Sequence, residues 1–175
     1  MKDVEAKLIA ELMKNSRRSD REIAKAIGSS QPTVSRMIKR LEKEGYIREY
    51  TMIPDFQKLG YELSAISFVK FSKMFSTNEV ENTKKIVDDT FKDAAHEVIM
   101  IDRGTGLDFH GIFVSFHENY TAYVEFMDWM RKLMAPNVAD VQSFIISLAD
   151  PMHYRYLSLS TLGNHLLERQ KNKKA

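Results

Sequence analysis

The chain has 175 residues, with 26 Lys plus Arg, 24 Asp plus Glu and no cysteine. That length holds one domain or two small ones, and the missing cysteine excludes disulfides, thiolate metal sites and a cysteine nucleophile. No run approaches the ~20 apolar residues that cross a bilayer, and Met1-Lys2-Asp3-Val4-Glu5-Ala6 lacks the apolar core of a leader, so a cytoplasmic address away from membranes is expected.

Charge is unevenly placed. Residues 1–55 hold 12 Lys/Arg and 9 Asp/Glu, a balance of +3. Residues 56–155 hold 10 and 14, a balance of −4, and residues 156–175 hold 4 and 1, again +3. Basic ends around an acidic middle suit a module for a polyanion joined to a domain with another task.

In residues 3–14, Val4, Leu8, Ile9, Leu12 and Met13 recur at helical spacing and predict an amphipathic helix. Ser19-Asp20-Arg21-Glu22 is a capping box, in which Ser and Glu satisfy each other's orphan amides at a helix start. Ile23, Ala24 and Ile27 form the apolar side of this short helix, and Gly28 stands where a left-handed residue ends it. Ser30 caps a third helix that carries Pro32 in its first turn, runs to about Glu44 and stops at Gly45. Two helices joined by about three residues that include Gly form a helix-turn-helix.

At about 100° per residue, Val34, Met37, Ile38 and Leu41 gather on one side of the third helix. Pro32, Arg36, Lys39 and Lys43 lie opposite, flanked by Ser35 and Arg40, with Gln31 and Thr33 at the N-terminal end. These types suit DNA: Gln fits adenine, Arg fits guanine, and Lys neutralises phosphate. A surface helix also carries basic residues for solubility alone, and Glu42 and Glu44 fit that plainer alternative. The full pattern of caps, turn and basic outer face favours DNA. Residues 46–53, Tyr46-Ile47-Arg48-Glu49-Tyr50-Thr51-Met52-Ile53, have strand composition and predict a short two-stranded wing, with Arg48 either at a phosphate or on a solvated edge.

The segment from Asp20 to Glu62, DREIAKAIGSSQPTVSRMIKRLEKEGYIREYTMIPDFQKLGYE, resembles the winged helix-turn-helix of the Lrp/AsnC transcription regulators. Ile23, Ala24, Gly28, Ser30, Thr33, Val34, Ile38, Leu41, Gly45 and Ile47 match that pattern, followed by a Pro54-Asp55 … Leu59-Gly60-Tyr61 hinge. The resemblance implies a ferredoxin-like effector domain that pairs its sheet across a dimer. It also implies a small-molecule effector, commonly an amino acid.

The rest of the chain agrees in order. Residues 62–73 read as a strand apolar on both faces, which calls for cover on both. Residues 78–92 read as a helix with Val80, Ile86, Val87 and Phe91 inward, residues 96–102 and 109–116 as strands, residues 119–134 as a helix, and residues 138–148 as a fourth strand. This is β-α-β-β-α-β, a ferredoxin-like arrangement. The expected fold class is α+β: a winged helix-turn-helix over residues 1–55, a hinge at 56–61, a dimerisation and effector domain over 62–155, and an extension over 156–175. The extension reads as a short helix capped by Ser160 and then frayed, either packed on the sheet or extending a dimer contact.

Family members place a Gly-x-x-Asp turn between the second and third strands. Here Asp102-Arg103-Gly104-Thr105-Gly106-Leu107-Asp108 has Gly and Asp at another spacing. Arg103, Gly104, Gly106 and Asp108 are the effector candidates, beside the alternative of a plain hairpin loop with positive φ at Gly. His96, His110, His117, His153 and His165 show no metal-ligand spacing, and no phosphate loop or nucleophile elbow occurs, so no cofactor, metal or catalytic residue is expected. One enzymatic alternative has the same two-domain plan. Sirohaem decarboxylases resemble these regulators, and would need His96, His110, His117 or Arg103 around a large cleft. The basic third helix has no use in such an enzyme. The expectation is therefore a sequence-specific regulator of double-stranded DNA, a homodimer or a higher assembly such as a tetramer or octamer.

Overall fold

The structure, a computed structural model, describes residues 2–73, 78, 81–82, 84–85, 89, 97–135, 137–152 and 157–172. It falls into two compact units, Met1–Pro54 with Tyr154–Ala175, and Asp55–His153.

The first unit is helical. Helix α1 spans Asp3–Lys14, α2 Asp20–Ile27 and α3 Gln31–Lys43. The capping box of α2 forms as its sequence dictates: Ser19 N donates to Glu22 Oε2 at 2.8 Å, and Glu22 N donates to the Ser19 hydroxyl at 3.3 Å. Gly28 closes α2 at φ 70°, where a Cβ is disfavoured. Leu8, Ile23, Ala24, Ile27, Val34, Met37 and Leu41 make one buried cluster, edged by Val4, Ile9, Leu12, Ile38 and Ile47. The extension forms helix α5, Ser160–Asn172, and it packs on α1 in this same unit. It therefore belongs with the helical unit and not on the sheet, which corrects that expected placement.

The expected two-stranded wing is not formed: residues 46–54 are described throughout and contain no ladder. The reason is chemical. A hairpin needs Gly, Asn, Asp or Pro to reverse the chain, and Ile47 to Ile53 contains none. The segment instead leaves α3 through Tyr46 N and Ile47 N, which donate to the Leu41 carbonyl at 2.9 and 3.3 Å. Farther on, the Tyr50 hydroxyl donates to Glu42 at 2.9 Å and the Ser16 hydroxyl to the Thr51 carbonyl at 3.4 Å.

The second unit is a four-stranded antiparallel sheet. Strand β1 is Leu63–Phe71, β2 Val98–Gly106, β3 Phe109–His117 and β4 Val138–Ser147, in the order β2-β3-β1-β4. Helix α4, Tyr120–Met134, joins β3 to β4. Helical backbone also occurs at Asn78, Glu81, Asn82, Lys84, Lys85 and Asp89. The inward residues expected there, Val80, Ile86, Val87 and Phe91, lie outside the described residues, as does His96. Order and pairing are those of the ferredoxin-like α+β arrangement.

Registers of Ala65 with Ser115, Ser67 with Phe113 and Val69 with Gly111 place odd-numbered residues of β1 and β3 on one face. That face meets α4, where Val69 and Phe113 pack against Phe126, Met127 and Met130. The other face carries Ile66 and Phe68 of β1, Ile112 and Val114 of β3, Met100 of β2 and Phe144 of β4, as the paired registers require. Phe56, stacked on Phe116 at 4.0 Å, and Tyr61, edge-on to it at 6.1 Å, cover one end. Phe144 stays 65% exposed and Met100 44%. The expectation of two apolar faces on β1 is met, and the second face has free apolar surface.

Candidate nucleic-acid interface

Helix α3 begins with Ser30 as its cap, whose hydroxyl accepts from Thr33 N at 3.4 Å and lies 2.8 Å from the Thr33 hydroxyl. Thr33 is thus half-buried and engaged in the cap. Val34, Met37 and Leu41 are buried in the helical core, and this anchors the opposite side outward. Gln31, Arg36, Lys39 and Lys43 are exposed, and Ser35 is half-buried between the two sides. The Arg36 Nε donates to the Pro32 carbonyl at 3.3 Å, one turn back, which steadies the side chain along the helix. Three basic donors therefore line one side of a capped helix, with Gln31 at its N-terminal end.

Arg40 and Arg48 differ from this set. Arg48 is exposed on the segment after α3, one turn beyond its end. Arg40 bonds to Glu5 of α1 and reaches Glu44 at 3.7 Å. Glu5 is buried, with its carboxylate also accepting from Lys2 N at 2.7 Å. That backbone bond and then the Arg40 guanidinium hold the Glu5 carboxyl below its ordinary value, against burial that pushes it up. Arg40 therefore joins α1 and α3 while its side chain stays exposed. A sequence signal for this existed: Glu5 is three, four and seven residues from Leu8, Ile9 and Leu12, on the apolar stripe of α1, where a carboxylate needs a partner.

The effector candidates are spread along a hairpin. Strand β2 continues to Gly106, so Arg103 and Gly104 lie within a strand rather than in a loop, and the reversal is only Leu107-Asp108. Positive φ falls on Leu107 (52°) and Asp108 (63°), and Gly104 and Gly106 have none, which corrects the expected glycine turn. Positive φ at both central residues is the pattern of a type I′ two-residue reversal, and here it is placed by the Gly106–Phe109 pairing. Asp108 bonds to Lys70 of β1, which holds its carboxyl below the usual range. Arg103, Gly104 and Gly106 are exposed.

The histidines do not assemble a cleft among the described residues. His110 Nδ1 accepts from Phe71 N at 3.1 Å. His117, seven residues on and therefore roughly 23 Å along the strand, is fully buried. Its Nε2 lies 2.8 Å from the Ser115 hydroxyl, and its Nδ1 has no partner. Burial pushes the His117 pKa down, with Glu97 pulling weakly the other way. No cluster of three or more metal-binding side chains occurs among the described residues, and none of their helices is long and apolar enough to cross a membrane.

Comparison with known proteins agrees with this arrangement. Residues 1–48 match the model of the winged helix-turn-helix DNA-binding family. An HTH-type transcriptional regulator of Pyrococcus furiosus is 35% identical over 89 residues, covering 51% of this chain and 57% of that protein. The HTH-type transcriptional regulator LrpC of Bacillus subtilis is 40% identical over 63 residues, covering 36% of this chain and 44% of that one. The chain spans about half the length of the curated relatives it matches. Among solved structures, an AsnC family transcriptional regulator from Agrobacterium tumefaciens superposes with a TM-score of 0.68 at 20% identity, over 93% of this chain and 99% of that one. A transcriptional regulator from Neisseria meningitidis in complex with L-Met superposes with a TM-score of 0.67 at 21% identity, over the same shares of 93% and 99%. Residues 1–48 thus match a DNA-binding helix-turn-helix model, and the chain has the two-domain fold of solved Lrp/AsnC-type regulators.

Proposed function

We propose that this protein is a homodimeric or larger regulator of transcription that reads a specific site on double-stranded DNA with α3. One observation carries this: Arg36, Lys39 and Lys43 stand exposed on the side of α3 opposite its buried Val34, Met37 and Leu41, with Gln31 exposed at the N-terminal end. The side chain of Arg36 is long enough for bidentate contact with guanine, and the exposed Lys39 and Lys43 suit neighbouring phosphates. Gln31, Thr33 and Ser35 supply shorter polar contacts at the N-terminal end, and Arg48 a further phosphate contact.

The dimer follows from the sheet. A second copy laid on Ile66, Phe68, Val114, Met100 and Phe144 covers the free apolar face, and a two-fold axis presents two α3 helices to half-sites about one helical turn apart or a multiple of it. An amino-acid effector belongs to the same proposal. The Neisseria meningitidis structure supports it, and Arg103, Gly104, Gly106 and Asp108 on the β2–β3 hairpin are the positions to test. The experiment is a footprint on the DNA upstream of the protein's own coding sequence, with and without amino acids. A protected stretch with two-fold symmetry is the expected result. Salt-insensitive, sequence-independent retention would sink the proposal.

A further inference from the structure

Helix α5 lies in the same compact unit as the helix-turn-helix, although the whole sheet unit, Asp55–His153, occupies the chain between them. Its less exposed residues are Ser160, Gly163, Leu166, Leu167 and Gln170, a helical stripe. Gly163 is buried at the contact with α1. A Cβ placed there meets the Ala10 carbonyl oxygen at 3.0 Å, the Ala10 Cα at 3.4 Å and the Met13 Cβ at 3.4 Å. Such separations bring two helix backbones together more closely than side chains ordinarily permit, and only a residue without a side chain fits freely.

Helix α1 is consequently a middle layer. Ala6 and Ala10 are fully buried yet stand outside the core cluster of the helix-turn-helix. Val4, Leu8, Ile9 and Leu12 of the same helix pack into that cluster. From α1, the buried Glu5 bonds to Arg40 of α3. We propose that α5 is an integral fourth helix of the DNA-binding unit, and that its contact at Gly163 positions the recognition helix through α1 and the Glu5–Arg40 pair. The structural half of this stands alone; the positioning half rests on the reading of α3 as a DNA-binding helix. On this account Glu5, Arg40 and Gly163 are positioning residues.

The full chain, free of cysteine, allows a direct test. A Met13→Cys, Gly163→Cys double variant puts two Cβ atoms 3.4 Å apart, beside the ~3.5–4.5 Å of disulfides. Mild oxidation is expected to give a faster-migrating monomer band on a non-reducing gel, reversed by reductant. Gly163→Val drives a branched side chain into the Ala10 carbonyl and is expected to weaken DNA binding about tenfold. Light scattering and the fluorescence of Trp129, which lies in the sheet unit, should not change. Glu5→Gln, a milder change that keeps the shape of α1, should move affinity the same way, and so serves if the valine variant unfolds the helical unit. Cross-links between chains, or none, overturn the placement of α5. An intrachain cross-link with wild-type affinity in both Gly163→Val and Glu5→Gln overturns the positioning role. A double variant that cross-links within the chain, beside a wild-type chain that binds no DNA, refutes the reading of α3, and the positioning role with it, while supporting the fourth helix.

Discussion

Phe144→Glu is expected to turn the proposed dimer into a monomer. Phe144 pairs in register with Ile66 and is 65% exposed on the sheet face away from α4, so a second copy has about two thirds of its ring surface left to cover. Full burial of a Phe side chain contributes roughly 1.5–3 kcal/mol, which leaves about 1–2 kcal/mol for this fraction. A two-fold axis makes the contact twice, so the ring pair contributes about 2–4 kcal/mol, or roughly 30- to 700-fold in the dimer dissociation constant. The carboxylate adds a desolvation cost in the same direction. Sedimentation velocity over a dilution series reads the constant directly, while Trp129 fluorescence confirms that the sheet unit stays folded. A dimer of unchanged strength would show that the partner sits elsewhere, and the sheet-to-sheet arrangement would have to be abandoned.

Further expectations concern single residues. His117 is buried and its folded pKa lies below the ordinary value, so the unfolded chain takes up the proton first as acid is added. Sheet-unit stability should therefore fall as pH drops below about 6.5, the ordinary histidine value, and His117→Phe should flatten that dependence in urea unfolding followed by Trp129. Leu107 holds φ 52° and is 81% exposed, so Leu107→Gly should raise the melting temperature by relieving about 1–2 kcal/mol of strain. Ser19→Ala removes an accepted hydrogen bond at the start of α2 and should destabilise the helical unit by about 1 kcal/mol, read by circular dichroism on heating.

The helical unit was the most legible part of the chain because its signals are local. Ser19 with Glu22, Gly28, Ser30 with Pro32, and Gly45 each act within one turn of their own position, and all appear where the sequence places them. The succession of strands and helices was legible for a related reason: apolar residues on both faces of β1 announce a sheet covered on both sides before any partner is known. Non-local matters were not legible. Arg40 looks like a surface cation until Glu5, 35 residues away, is brought beside it. Gly163 reads as an ordinary helix residue until Ala10 approaches. The β2–β3 reversal shows how local signals mislead: two glycines suggested a loop, but antiparallel pairing carried β2 through both and forced the turn onto Leu107 and Asp108. The wing failed for want of a turn residue, a fact visible in the sequence once composition is set aside.

The central claim is that the exposed side of α3 reads DNA, and salt-dependent binding tests it most directly. Fluorescence anisotropy of the footprinted fragment and of a scrambled fragment should be titrated over a range of salt concentrations with the wild type, Lys39→Ala and Arg36→Ala. Lys39→Ala should weaken both fragments and reduce the slope of log affinity against log salt by ~0.9, the value for one phosphate contact. Arg36→Ala should cost about 1–3 kcal/mol on the footprinted fragment and little on the scrambled one. If both variants bind both fragments as the wild type does, with the same salt slope, α3 is not the DNA-reading helix.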